Sequence, residues 1–550
     1  MGGPGHLGYD RDRVAVGRRP WLGGDVLGYD GPRPHDVLAV LDVAVDRYPH
    51  DVVVLDATTG DTWTALELAD QVMTTAQAWA AAGLRPGDGV GVAAGNSGAH
   101  LVAVLACAAT GAVAVGLSAR LAVPQWRYQL EHSGCRLLLH DPDHEGRAGV
   151  AAEGVADLRV EPLATARRPV VPGLWRRWFE GRETVSPTTA YQVVYTSGST
   201  GRPKASQVVH GPSVHSGIAY DRLLRLRRGE STAVLFHLGY ISAMHAHVIP
   251  ALLAGARLVM LPTGSPRTWV EQLAAFDVAW AYAVPSWWRL ALREPGLLAG
   301  TLPRLRLAGA GGSPFPDPLR DGLAQRLPGT ELLNIYGLSE THSPATVLRG
   351  HEMWTHAGTA GRPLEVVEVE VRATVDGPRP GPLLPDGEPG EVWLRSSLVT
   401  TGYAGDPEAT STAVVDGTLR TGDVGVLEPG GPDGPVLRLL DRVKDMVNRA
   451  GTKVYSAEVE RVLAEHPALA EQACVAAPDP RSGETVAVFL VLAEGHERPT
   501  DAQVRAWVRE RLGSAAVPST VRWVDTLPRG GTGKTDKLDL RARLAVPSKA

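Results

Sequence analysis

Ten residues following the apolar pair Val193-Val194 carry the densest chemistry in this chain: Tyr195-Thr196-Ser197-Gly198-Ser199-Thr200-Gly201-Arg202-Pro203-Lys204. Gly198 and Gly201 let the backbone approach a ligand where a Cβ would clash. The hydroxyls of Thr196, Ser197, Ser199 and Thr200 are donors, as are the exposed backbone N–H groups, and Lys204 ends the stretch in a cation. That set suits a polyphosphate. A Ser/Gly surface turn has a similar composition; here the hydroxyls, both glycines and the lysine occur together. The spacing Gly198-x-x-Gly201-x-x-Lys204 is not that of a P-loop. Nor is Gly533-Lys534-Thr535, because Pro528 stands where the P-loop pattern needs its first glycine.

The elements that must hold this loop alternate between helical and strand-like periodicity. Helical patterns start near Val37 and cover 65–82, where Leu66, Val72, Met73, Ala76 and Trp79 share a face and Gly83 is a stop. Strands are expected at 89–93, 111–117, 135–140, 233–237, 256–261, 278–284, 305–308 and 331–335, with helices from about Ala99, at 248–255 and at 268–276. Such alternation implies an α/β fold with a largely parallel sheet. Residues 1–35 read as a poorly ordered or peripherally docked extension, and 141–190 as a surface connection. From 361 to about 440 the texture becomes β-rich, broken by a Pro/Gly run at 377–389. After 441–444 the remainder reads as a small α+β unit, with a helix at 456–465, a strand at 486–492 and a helix opened by the capping box Thr500-x-x-Gln503. The expected domains are therefore 1–35, a large domain 36–440, a hinge 441–444 and a small mobile domain 445–550.

At 550 residues more than one core is expected. Apolar content of 44% with 21% charged residues is that of a soluble globular protein. A net charge of −5 offers no general field for nucleic acid or an anionic membrane. The cysteines Cys107, Cys135 and Cys474 form no C-x-x-C pair, which fits a reducing cytoplasm. No apolar core of a signal peptide opens the chain. The uncharged stretch 101–119 is rich in Ala, Val and Gly and interrupted by Gly111, so it reads as a buried helix and strand rather than a membrane span. Arg222, Arg225, Arg227 and Arg228 read as a solvated face, with a CoA phosphate as the alternative.

The ten-residue loop resembles the phosphate loop of the adenylate-forming superfamily of acyl- and aryl-CoA synthetases, nonribosomal adenylation domains and luciferases. The resemblance runs from about residue 36 to the end, in order, through Phe236-His237, Gly311-Gly312-Ser313-Pro314, Tyr336-Gly337-Leu338-Ser339-Glu340, Gly390-Glu391-Val392-Trp393-Leu394-Arg395, Gly402-Tyr403, Arg420-Thr421-Gly422-Asp423, the block 441–460 and Lys534. It departs at Ala205, Ser339 and Ser456, where Gly, Thr and Pro are usual. It implies a large α/β domain with a β-rich subdomain and a small mobile domain, with ATP, Mg²⁺ and coenzyme A as reactants. It also implies that Tyr336 stacks on adenine beside Gly311, Gly312 and Ser313. Gly337 and Ser339 would lie near phosphate, Glu340 would be the Mg²⁺ ligand, Asp423 would accept the ribose hydroxyls and Arg442 would make a second contact. Lys534 would meet the carboxylate and the α-phosphate, where an arriving cation lowers the barrier most. Lys444 would be the hinge, and the block 447–453 the thiolation face, with Lys453 able to reach phosphate.

By the same resemblance the acid pocket is lined by His237 with Leu238, Tyr240, Met244, Trp287, Ala310, Gly311 and Leu338. His237 stands where amino-acid-activating members carry Asp, so an α-amino acid is not expected. Trp287 and Trp288 either shorten the pocket, favouring an aryl or short acid, or pack in the core. His245 and His247, two apart, read as structural or pocket-rim residues. The expected activity is an acid–CoA ligase acting on a small-molecule acid. A ligase loading a separate carrier protein, a nitrite-activating relative and a non-catalytic nucleotide binder are the alternatives. Sixteen residues follow Lys534, so no fused carrier domain is expected. The sequence leaves the oligomeric state, monomer or dimer, open.

Overall fold

The structure is a computed structural model describing residues 9–166, 170–196, 203–262, 264–294, 297, 301–375, 377–529 and 535–545. Residues 197–202 and Lys534, which carry the phosphate-loop and mobile-lysine expectations, lie outside the described residues.

One sheet has the order Lys204–Val209, Ala190–Thr196, Val113–Gly116, Gly89–Ala93, Cys135–His140, Arg159–Pro162, parallel except for the first pair. The first two strands pair antiparallel, with Lys204 opposite Thr196. A second sheet runs Arg362–Pro363, Thr346–Arg349, Glu331–Tyr336, Leu307–Gly311, Val278–Ala283, Ser231–Val234, Arg257–Met260, Val52–Asp56, Thr62–Thr64, and is parallel from Glu331–Tyr336 to Val52–Asp56.

Both sheets are covered on both faces at their centres, which is why inner strands such as Gly89–Ala93 and Val278–Ala283 are buried along their whole length. Helices Val37–Arg47, Ala65–Ala81, Gly98–Thr110 and His210–Leu224 contribute to one core with Val90, Val92, Leu137 and Leu139 of the first sheet and Val54, Leu258, Trp280, Tyr282 and Leu333 of the second. Successive residues point to opposite faces. Ala281, Ala308, Ala310 and Leu332 therefore face a second cluster outside, with Trp269, Trp288 and Leu319. Val115, Leu138 and Val193 face a third with Trp126 and Leu130. The uncharged stretch near Leu101 resolves into the buried helix Gly98–Thr110 and strand Val113–Gly116. Among the described residues no helix is long and apolar enough to cross a membrane.

A β-rich sheet follows, made of Val367–Arg372, Gly390–Ser396, Thr418–Glu428, Val414–Val415 and Val436–Arg442. The last unit is a helix-backed sheet of Thr452–Val454, Val447–Arg449, Gly483–Leu492, Leu469–Asp479 and Thr520–Trp523 with its own core.

Two expectations change. Of residues 1–35, the described part is a docked hairpin, Ala15–Trp21 with Gly24–Asp30. Its Trp21 indole donates to Val399 O at 2.9 Å, and upstream the Tyr9 hydroxyl donates to Asp221 Oδ2 at 2.6 Å. Residues 141–190 hold more than a surface connection, because Leu174–Gly181 is a helix whose Trp175 is buried and bonded to Asp42. Its apolar face is one turn long and flanked by Arg176 and Arg177, too short for a clear helical period. The arginines meet the expectation of a surface role: Arg222 pairs with Glu365 at 2.5 Å and Arg228 with Asp51 at 2.5 Å.

Candidate active site

Parallel strands present their carboxyl ends on one edge, where ligands of open α/β sheets bind. Here the carboxyl edges of the two sheets face each other, and Asn96 joins them. Following Gly89–Ala93, its amide donates to Val234 O at 3.1 Å and Phe236 O at 2.9 Å and accepts from Leu238 N–H at 2.9 Å. Gln192 adds a bond to Leu238 O at 2.8 Å. The chains at Gly116 and Gly239 touch: a Cβ on Gly116 would stand 2.3 Å from the Gly239 Cα, so neither position admits a side chain. Neither Asn96 nor Gln192 was singled out from sequence; a polar residue at a strand end carries no signal of its partner in a remote segment.

His237 sits at this junction. Its Nε2–H donates to Ala94 O at 2.7 Å and its Nδ1 accepts from Gly239 N–H at 3.0 Å. Burial lowers its pKa below the usual histidine value, so the ring is neutral. Both nitrogens are spent on backbone, which makes His237 a wall of this junction.

Two of the expected site residues, Lys204 and Glu340, gather round Tyr403. Its hydroxyl donates to Glu340 Oε1 at 2.9 Å, and the Lys204 ammonium lies 5.1 Å from its ring centroid. The segment carrying Tyr403 is tied to the Lys204 strand: Gln207 N–H donates to Gly402 O at 2.9 Å, and Ala404 N–H to Ala205 O at 2.8 Å. Thr400 adds a bond from its hydroxyl to Gln207 O at 2.6 Å. Glu340 stands on the one-turn helix Ser339–Thr341, beyond the strand Glu331–Tyr336, and Thr400 N–H holds its backbone oxygen at 2.8 Å.

Tyr336, Asp423 and Arg442 form a second cluster. Tyr336 donates its hydroxyl to Asp423 Oδ2 at 2.6 Å, and Arg442 Nε meets Asp423 Oδ1 at 2.7 Å. Asp423 and Arg442 are register partners on adjacent strands. Burial, then the Asp423 charge, pushes the Tyr336 phenol well above its usual value, which keeps it a donor. Each carboxylate oxygen retains a lone pair for a further donor. Gly311 ends its strand beside Ile335, and Gly312 follows with φ of 79° before exposed Ser313. Gly337 packs against the Ser343 backbone, and Leu338 N–H is held by the Thr341 hydroxyl at 3.0 Å.

The acid-pocket expectation changes in detail. Alternation sends Ala310 to the outer face, so Gly309 and Gly311 face the inter-sheet side instead. A Cβ at Gly309 would lie 2.2 Å from the Trp280 ring, and one at Gly311 2.2 Å from the Tyr282 hydroxyl. Trp280 and Tyr282 stack at 5.7 Å and 12°, and Phe236 packs on Tyr282. Trp287 and Trp288 belong to the outer cluster, both against Trp269, and the Trp288 indole donates to Gly309 O at 2.8 Å. Trp288 is fully buried there, and Trp287 packs half-buried against the same cluster. Tyr240 lies beside His237 with ring centroids 6.0 Å apart, and Met244 is buried at the start of the π-helical turn Met244–Val248. His245 and His247 are fully buried on that turn.

Beyond Arg442 the chain passes into the small unit. Asp441 accepts from Ser456 N–H and, at 3.0 Å, from its hydroxyl, while Lys537 donates to Ser456 Oγ at 2.9 Å and meets Glu460 at 2.8 Å. A proline at 456 could not make the first bond. Lys444 gives its backbone oxygen to Arg541 at 3.0 Å, and burial lowers its pKa. Lys453 is exposed on the hairpin Val447–Arg449/Thr452–Val454; no hydrogen bond or ion pair joins it to Tyr336, Asp423 or Arg442.

The family model of AMP-binding enzymes matches residues 41–404, and that of the AMP-binding enzyme C-terminal domain matches residues 458–534. A feruloyl-CoA synthase of Amycolatopsis is 31% identical, covering 90% of this chain and 96% of its own. Among solved structures, o-succinylbenzoate CoA synthetase from Bacillus subtilis in complex with the acyl-adenylate intermediate OSB-AMP superposes with a TM-score of 0.80 at 26% identity, covering 93% and 98% of the two chains. The amide bond synthetase McbA from Marinactinospora thermotolerans gives 0.78 at 30% identity, covering 92% and 99%. With the family models spanning both units, this chain belongs to the adenylate-forming superfamily of AMP-binding enzymes.

Proposed function

We propose that this protein is an ATP-dependent acid–CoA ligase that joins a carboxylic acid to AMP and then transfers the acyl group to a thiol. The observation that carries the reading is the convergence of Lys204 and Glu340 on Tyr403, beside the Tyr336–Asp423–Arg442 cluster, at the facing carboxyl edges of two sheets. Tyr336 and the chain at Gly311 to Ser313 take the adenine, and Asp423 and Arg442 the ribose. Lys204, with the Ser/Thr/Gly residues that precede it in the sequence, takes the phosphates.

Mg²⁺ fits this donor set. Among the described residues Glu340 keeps one oxygen without a hydrogen bond, and no group of three or more His, Cys, Asp or Glu is arranged to hold a metal alone. Glu340 would therefore share the ion with phosphate oxygens and water, as Mg²⁺ prefers. Bound there, the ion would neutralise phosphate charge.

In the first step a carboxylate oxygen bonds to the α-phosphorus and pyrophosphate leaves. The acid is already ionised near neutral pH, so no general base is required, in keeping with the backbone-saturated His237. In the second step a thiolate attacks the acyl carbon and AMP leaves. Lys534 serves the first step, and rotation about Lys444 brings the 447–453 hairpin, with Lys453, to the second. The three cysteines are free and buried, in keeping with a reducing cytoplasm. Trp280 and Tyr282, filling the space over Gly309 and Gly311, favour an aryl or short acid. Tyr282→Ala is expected to shift preference toward longer acids, read as the ratio of kcat/KM for two chain lengths; an unchanged ratio removes Tyr282 from the pocket.

The test is pyrophosphate release from ATP and Mg²⁺ over a panel of aryl, short and long acids, amino acids and nitrite, with and without CoA. A CoA thioester by mass supports the ligase. Adenylate that moves instead to a carrier protein or an amine, or release with nitrite alone, replaces the acceptor or substrate assignment. Lys534→Ala is expected to lower acyl-AMP formation by roughly 10²- to 10³-fold with the melting temperature unchanged. Adenylation at the wild-type rate would remove Lys534 from the mechanism.

A further inference from the structure

Three segments that carry the phosphate and metal end come from distant parts of the chain: the strand Lys204–Val209, the turn bearing Glu340 and the segment 397–403 bearing Tyr403. One buried side chain, just beyond the Glu340 turn, is bonded to the other two. His342 follows the Glu340 turn in a left-handed conformation, with φ of 51°. Its Nε2 accepts from Val209 N–H at 3.1 Å, and its Nδ1–H donates to Leu398 O at 2.9 Å. One partner is an N–H and the other a carbonyl, so only one neutral tautomer satisfies both. Complete burial holds the ring well below the usual histidine pKa.

The surroundings hold His342 in turn. Its carbonyl accepts from the Ser216 hydroxyl at 2.7 Å, and the neighbouring Ser343 Oγ bonds to Tyr220 at 3.0 Å. The His245 ring meets it edge-on at 5.5 Å and is fixed by Ile241 O at 2.7 Å and Ser213 Oγ at 3.0 Å, Ser213 being bonded to Tyr191. Among the described residues no charged side chain makes a hydrogen bond or ion pair with any of these groups.

We propose that His342 is a positioning residue that sets Glu340 and Tyr403 against Lys204, and so fixes the Mg²⁺-dependent part of ATP binding. This rests on the ligase reading of the site. Partners that orient a metal-binding carboxylate govern affinity for the ion, and His342 does so from the next residue but one. It touches neither acid nor nucleotide, so its loss should leave the acid subsite as it is.

The experiment measures ATP binding by calorimetry with Mg²⁺ and with EDTA, alongside adenylation kinetics, for the wild type, His342→Ala, His342→Asn and Thr400→Val. His342→Ala is expected to weaken the Mg²⁺-dependent increment of ATP affinity, and to lower kcat, by roughly 10- to 100-fold, with KM for the acid unchanged. Asparagine tolerates the left-handed backbone and keeps a donor for Leu398 O, so it should recover part of the loss. Thr400→Val cuts the tie to Gln207 O and should shift the Mg²⁺ dependence the same way; it also serves if the His342 variants do not fold. Wild-type Mg²⁺ dependence in folded His342→Ala, or in Thr400→Val where His342 variants fail to fold, overturns the inference. Absence of Mg²⁺-dependent ATP binding in the wild type instead overturns the ligase reading.

Discussion

Glu340→Gln is expected to lower acyl-AMP formation by roughly 10²- to 10³-fold while leaving the melting temperature within about 2 °C. The small stability effect follows from geometry: the replacement amide oxygen can still accept from the Tyr403 hydroxyl, and the turn is held by Thr400 N–H on the Glu340 carbonyl, not by the side chain. The large catalytic effect follows from charge. A carboxylate that shares a cation with phosphate oxygens is worth most where charge develops and water is sparse, and an amide is a poor ligand for a hard cation. Raising Mg²⁺ should recover part of the rate in the variant, read as pyrophosphate release against Mg²⁺ concentration. A variant with wild-type rate and Mg²⁺ dependence would remove Glu340 from the site. Tyr403→Phe should show a milder form of the same shift, because it frees the Glu340 carboxylate from its hydroxyl without removing it.

The second large effect is loss of stability in mild acid. Burial holds His100 and His247 down to about 3 and His210 and His245 to about 4, and holds His215 and His342 well below the ordinary histidine value. Above about pH 6.5 these rings are neutral in folded and unfolded chains alike, and contribute no pH dependence. Below it the unfolded chain binds protons that the folded chain refuses, so stability falls as pH drops from about 6.5 toward 4, by about 1.4 kcal/mol per pH unit for each ring. Asp221 and Asp441 act in the opposite sense, since burial raises both, but they offset the loss only as the pH nears the carboxylate range. The four rings held to about 3 or 4 have by themselves a combined slope of roughly 6 kcal/mol per unit, which exhausts an ordinary folding stability within about one to three pH units. The melting temperature should fall steeply between pH 6.5 and 5, and His247→Phe should flatten that slope. A melting temperature independent of pH over this interval would show that the rings protonate in place.

Among the residues of the candidate site, Lys204 carried its chemistry in type and spacing, and Tyr336, Glu340, Asp423 and Arg442 were legible through the resemblance to adenylate-forming enzymes. The two sheets were legible as an α/β alternation, because buried parallel strands are continuous apolar runs. The strand Lys204–Val209 was not, since Lys, Ser and Gln interrupt its pattern, and it exists as the partner of Ala190–Thr196.

What the sequence by itself determined is the set of reactive groups and the family to which they belong. Only the tertiary structure decided how they are held. Alternation along Leu307–Gly311 put Gly309 and Gly311, not Ala310, on the inter-sheet side, and a one-residue difference in facing is invisible in composition. Trp287 and Trp288 turned to the outer cluster because Trp269 stands outside the sheet to receive them. Asn96 and His342 became joints of the site because each satisfies backbone groups from segments more than a hundred residues away. Such residues are recognised by burial and by what they bond to, and those are properties of the folded chain.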